Sequence, residues 1–129
     1  MAAFNQNIRK LAKDNTDFRR VLVTNAHSQV VLMCVQPGDD IGEEVHDVDQ
    51  VLVFVKGLGD AVLDGEPAPV GKGSLLVVPA GTRHNVINSG DKPMRLYTVY
   101  APPQHPPGTV HPTRADAVAA EAAEEHAVG

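Results

Sequence analysis

Apolar and polar residues alternate along this chain in three textures. From Asn7 to Asn15 the apolar positions Ile8, Leu11 and Ala12 recur at the spacing of one helical face, which predicts a short amphipathic lead-in helix. From Val21 to Tyr100 the chain breaks into β-branched runs at 21–24, 29–36, 44–55, 60–64, 74–78, 84–88 and 94–100. They are punctuated by Gly, Pro, Asn and Asp, the rhythm of an all-β sandwich or barrel. Asp64-Gly65 and Ser89-Gly90-Asp91 read as hairpin turns, because glycine supplies the positive φ such turns need. After Tyr100 the segment Ala101 to Pro112 carries five prolines, which cannot pair in a central strand and predict an extended surface arm. Thr113 is placed to cap a final Ala-rich helix from about Arg114 to His126. The division is therefore 1–20 lead-in, 21–100 β domain, 101–129 arm and helix.

Composition narrows the function classes. A chain of 129 residues has the size of one domain, with 43% hydrophobic and 21% charged residues, close to globular averages. Having no Trp, two Tyr and three Phe, it offers little on which nucleic-acid bases could stack. The formal charge of -5 would repel a phosphate backbone, so nucleic acid is not an expected partner. No apolar run approaches the ~18 residues of a membrane span, and the polar N-terminus does not read as an export signal. The single cysteine, Cys34, lies in the apolar run 30–35, which suggests a buried thiol and a cytoplasmic location.

Two segments concentrate chemistry. In the run from Gly73 to Asn88 a strand leads into the turn Pro79-Ala80-Gly81, and His84 opens the next strand. In the run from Gly38 to Gly57, Glu44, His46, Val48 and Gln50 share strand parity with Leu52 and Phe54. That face looks inward, which would bury three polar side chains in need of partners. Asp47 and Asp49 have the opposite parity and should face solvent.

These residues resemble the two signature motifs of the cupin superfamily, G-x5-H-x-H-x3/4-E-x6-G and G-x5-P-x-G-x2-H-x3-N. The second matches at every fixed position, through Gly73, Pro79, Gly81, His84 and Asn88. The first matches at Gly38, His46 and Gly57, with Glu44 where the family has its first His and Gln50 where it has Glu. The resemblance covers about Val21 to Tyr100 and is strongest to the short single-domain, mannose-6-phosphate-isomerase-like cupins. It implies an all-β fold, a small double-stranded β-helix (jelly-roll barrel) with short terminal helices, that commonly pairs as a homodimer. It also implies one divalent metal (Fe, Mn, Ni, Co or Zn) held by Glu44, His46, Gln50 and His84. The two substitutions together keep one carboxylate in that set.

The functional expectation is a metal-dependent enzyme of dioxygenase, decarboxylase or sugar-isomerase type acting on a small polar, oxygen-rich molecule. Glu44 is the candidate base; Arg83, Phe54 and Tyr97 are candidates to meet substrate. Tyr97 and Tyr100 have opposite parity, so at most one faces the interior. His105 and His111 sit on the arm, where they could cover the barrel mouth. A sugar phosphate would need basic groups, and only Arg83, Lys56 and Arg95 lie near the motifs. The competing expectation is a binding or sensing module without turnover.

Overall fold

The computed structural model describes residues 4–128, with side chains up to residue 123. Two antiparallel sheets face each other. The larger joins β6 (Leu75–Val78), β3 (Asp49–Lys56), β8 (Met94–Ala101), β2 (Gln29–Val35), β1 (Arg19–Thr24) and β9 (Val110–His111), in that order. The smaller joins β5 (Glu66–Gly71), β4 (Leu58–Leu63) and β7 (His84–Ile87). The architecture is the expected all-β double-stranded β-helix with two short helices, α1 (Ile8–Asp14) and α2 (Arg114–Val128).

Parity sorts the side chains. Val31, Met33 and Val35 of β2, Leu52 and Phe54 of β3, and Met94, Leu96 and Tyr100 of β8 point inward, where they meet Ala61, Val70 and Val86 of the small sheet. Leu32 and Val55 point outward and are covered by Ile8, Leu11 and Ala12 of α1. The Asn7 side chain caps α1 by accepting from the Lys10 amide. At α2, Thr113 and Asp116 form a reciprocal capping box, each side chain accepting from the other's backbone amide. Cys34 is a free, buried thiol.

Three differences from the sequence reading have physical causes. The run 44–55 is not one strand: β3 begins at Asp49, and Glu44 makes an isolated bridge to His84 of the other sheet. Between them the 79–81 turn docks, the Gly81 amide donating to the His46 carbonyl at 2.7 Å and the Ala80 amide to Asp49 Oδ1 at 2.9 Å. The chain crosses between sheets here, yet inward parity survives: His46, Val48 and Gln50 are buried, while Asp47 and Asp49 are exposed.

Asp64-Gly65 does close a hairpin, with φ of 48° and 84°, but its far side is β5, which Pro67 and Pro69 hid from a propensity reading. Ser89 to Asp91 is a turn without a hairpin, since β7 pairs with β4 whereas β8 pairs with β2 and β3. Asn88 organises this crossover, donating to the carbonyls of Val35 and Lys92 and accepting from the Gly90 amide. Gly57 explains one motif position: φ is 95°, and a Cβ there would stand 2.8 Å from the Met94 backbone.

Candidate functional site

One end of the barrel interior is polar. His84 opens β7, and its backbone exchanges both hydrogen bonds with Glu44, at 2.8 and 2.9 Å, so these two residues are paired across the small sheet. The His84 Nδ1 lies 2.9 Å from the Thr82 carbonyl, which can only accept. Nδ1 is therefore the donor, and in the neutral ring this leaves the Nε2 lone pair free, the orientation a metal-ligating imidazole uses. His46 lies beside it, with ring centroids 5.4 Å apart.

Glu44 Oε2 stands 2.6 Å from His46 Nε2. The contact holds the buried His46 ring against the carboxylate. Burial alone would raise the Glu44 carboxyl. His46, with further help from Arg19 and His84, outweighs it and holds the group below the usual carboxylate range. From the large sheet, Gln50 Nε2 donates to Thr98 Oγ1 at 3.1 Å and to the Tyr100 hydroxyl at 3.2 Å, and Gln50 Oε1 has no partner. Burial pushes the Tyr100 hydroxyl up, and the negative charge of Glu44 adds to the effect, so Tyr100 stays protonated.

The arm closes over this end. The Gln29 side chain donates to the His105 carbonyl at 2.7 Å and accepts from the amides of His105 and Gln104. The clamp sets the His105 ring edge-on to Tyr100, centroids 5.2 Å apart. Burial, with the nearby charge of Arg19, lowers His105 to about 4, so it is neutral near pH 7. An open cleft of about 490 Å³, lined by Val45, His46, Asp47, Ala80, Gly81 and Gln104, leads from solvent to His46.

The structure thus brings Glu44, His46, Gln50 and His84 to one end of the barrel, and it places the three substrate candidates elsewhere. Phe54 is buried in the apolar core. Tyr97 packs on the outer face with Ile8 and Leu11 of α1. Arg83 is exposed and bonded to Glu43 at 2.8 Å. Tyr100, the other parity of β8, holds the inward place, and its parity with Met94 and Leu96 could have identified it. Arg19, fully buried at the start of β1, escaped the sequence reading because nothing local marks an arginine as buried.

The donors suit a divalent metal in kind: two imidazoles, a carboxylate and an amide oxygen, the last buried without a partner. Their spacing is tighter than a loaded site needs. Two ligands ~2.1 Å from one ion at a right angle stand ~3 Å apart, against 2.6 Å between Glu44 and His46. Among the described residues no three His, Cys, Asp or Glu side chains are grouped to hold an ion as they stand. A small separation of Glu44 from His46 is what loading would require.

Comparison with known proteins agrees with this fold. The chain is 49% identical over 122 residues to the uncharacterized protein YrkC of Bacillus subtilis, covering 89% of this chain and 66% of that protein. It is 38% identical over 109 residues to an uncharacterized protein of Acanthamoeba polyphaga mimivirus, covering 81% and 68%. The chain thus spans about two thirds of the length of these relatives. The crystal structure of BH2720 from Bacillus halodurans superposes with a TM-score of 0.90 at 44% identity, covering 92% of this chain and 95% of that one. The cupin domain profile matches residues 31–100, from β2 through β8, which takes in both motifs, and the chain belongs to the cupin family.

Proposed function

We propose that this chain is a divalent-metal-binding cupin that acts on a small polar molecule held at the polar end of its barrel. The observation that carries the reading is Gln50 Oε1, buried without a partner while Gln50 Nε2 bonds the Tyr100 hydroxyl against whose ring His46 packs. A buried polar atom left unsatisfied costs about 1–3 kcal/mol, and a ligand or ion that met this oxygen would recover that cost.

His46, His84, Glu44 and Gln50 would hold the metal. When bound, a divalent ion supplies Lewis-acid polarisation of substrate oxygens. The chain's own residues do the rest. Glu44, kept ionised by its neighbours, can take a proton at a carboxylate oxygen. Tyr100, kept protonated, can donate to a ligand oxygen. The arm, fixed by Gln29, excludes water from the Tyr100 side. A sugar-phosphate substrate draws no support from the basic residues near the motifs: Lys56 and Arg83 are exposed, and Arg95 bonds the Lys13 carbonyl beside α1.

Elemental analysis of protein purified without a metal-capturing tag, beside a His84→Ala variant, tests the proposal. Near-stoichiometric metal that disappears in the variant is the expected result, and the metal found chooses the assay, oxygen uptake for iron and decarboxylase or isomerase screens for the others. No metal in either sample, with no thermal stabilisation by added divalent ions, sinks it. A second reading, a module that binds a small ligand without turnover, is favoured by Glu44 standing against His46 instead of apart as a loaded site needs; ligand binding without product formation, with or without metal, would establish it.

A further inference from the structure

The segment 38–44, which carries Glu44 to its place, lies along the free edge of β7 without forming a strand. Only Asp40 and Glu44 bridge to β7, opposite Ile87 and His84. Between them the ladder is incomplete. The Ile41 amide reaches the Val86 carbonyl at 2.9 Å, but the Gly42 amide donates to a side chain, Asn85 Oδ1, at 3.0 Å. Asn85 also donates through Nδ2 to Asp40 Oδ2 at 2.9 Å. It follows His84 in β7 with the opposite parity, so it works on the other face of the sheet from the imidazole.

Asp40 is gripped a second time by Arg114, the first residue of α2. Arg114 Nε donates to the Asp40 carbonyl at 2.8 Å, and Nη2 stands 2.8 Å from Asp40 Oδ1. One guanidinium thus holds the backbone and the side chain of the same residue, which its planar fork allows. Neither α2 nor β7 needs this grip. Ala117 of α2 is buried in the core and Glu121 meets Arg19, while β7 is paired with β4 along its other edge. The element that depends on it is 38–44, whose ladder is incomplete. Arg114, Asp40 and Asn85 thereby join the two segments that carry Glu44 and His84.

We propose that Arg114 is a positioning residue for the candidate metal site: through Asp40 and Asn85 it fixes the spacing of Glu44 and His84 from outside the barrel, so that the seating of α2 controls how well the site takes a divalent ion. The inference rests on the reading that these residues hold a metal, and it names a control on that site. Groups that orient ligating residues from outside commonly change metal affinity by about 10–100-fold.

Cobalt(II) titration of the full chain, followed by calorimetry and visible absorption, tests the proposal, beside amide exchange of the metal-free protein. Arg114→Gln should weaken cobalt binding about tenfold and shift the absorption bands of the bound ion. A merely structural role would lower stability and leave the affinity of the folded protein unchanged. Arg114→Lys, which keeps the charge and loses the fork, should weaken binding about threefold. Asn85→Ala should also weaken it, and adding Arg114→Gln should cost no further affinity, because both act through Asp40. In metal-free Arg114→Gln the Gly42 and Glu44 amides should exchange faster while those of β2 and β8 keep their protection. Unchanged cobalt affinity in Arg114→Gln overturns the proposal and leaves the metal reading intact, as do losses that add in the double variant. Unchanged exchange at Gly42 and Glu44 overturns it too. Should Arg114→Gln fail to fold, Arg114→Lys decides by the same measures. Absence of cobalt uptake by the unaltered protein removes the metal reading and this proposal with it.

Discussion

Two rows of paired residues cross the large sheet four positions apart, and they could hardly differ more. In one, Phe54 faces Leu96 and Leu96 faces Met33, all buried and apolar. In the other, Gln50 faces Tyr100 and Tyr100 faces Gln29, equally buried and all polar. Backbone, register and sheet are shared, so the difference lies in the side chains alone. The apolar row is satisfied by packing. The polar row leaves Gln50 Oε1 without a partner and spends Gln29 on holding the arm. One sheet thus builds a core at one end and a chamber at the other.

Substitutions should separate the rows. Phe54→Ala should cost most, about 3–5 kcal/mol in chemical denaturation, since it opens a cavity in close-packed surroundings. Gln29→Leu comes next, at about 2 kcal/mol, because it frees the Gln104 and His105 amides from their acceptor. Limited proteolysis of that variant should cut within residues 101–112, and an uncut arm would show that the clamp is dispensable.

The metal-free protein should also lose stability as pH falls from about 6.5 toward about 4, the ordinary and lowered values for His105. In that window the unfolded chain takes up the proton that folded His105 refuses, so unfolding gains. His105→Asn should flatten this part of the curve in urea titrations at stepped pH. Gln50→Met should change stability by no more than about 1 kcal/mol, since it removes an unsatisfied oxygen along with two hydrogen bonds. It should nonetheless diminish stabilisation by divalent ions. Arg83→Ala is the smallest, within about 0.5 kcal/mol, because the Glu43 pair is exposed. A large loss there would break the contrast between interior and surface.

The placement of the four candidate ligands at one end of the barrel was legible in the sequence, for a definite reason. His84 follows a Pro-x-Gly turn whose glycine takes φ 85°, and such geometry leaves a local imprint. Parity carried Glu44, His46 and Gln50 to the interior even though the strand they suggested is interrupted. What failed depended on long-range pairing. Tyr97 and Tyr100 differ only in which face α1 covers, and α1 is far away in sequence. Burial of Arg19 depends on β9 and α2, about ninety and one hundred residues onward. The strand β5 was hidden because proline argues against a strand unless its nitrogen points away from the neighbour, a matter of sheet order.

That placement of Pro67 and Pro69 bears on how copies of the chain meet. Leu63 and Glu66 close the two-residue turn, so Glu66, Ala68 and Val70 turn their amides toward β4 while Pro67 and Pro69 face the open edge. An incoming strand seeking donors there meets ring carbons instead. The small sheet is thereby sealed against growth by strand addition, and the protein carries its own protection against fibrous self-association along that border.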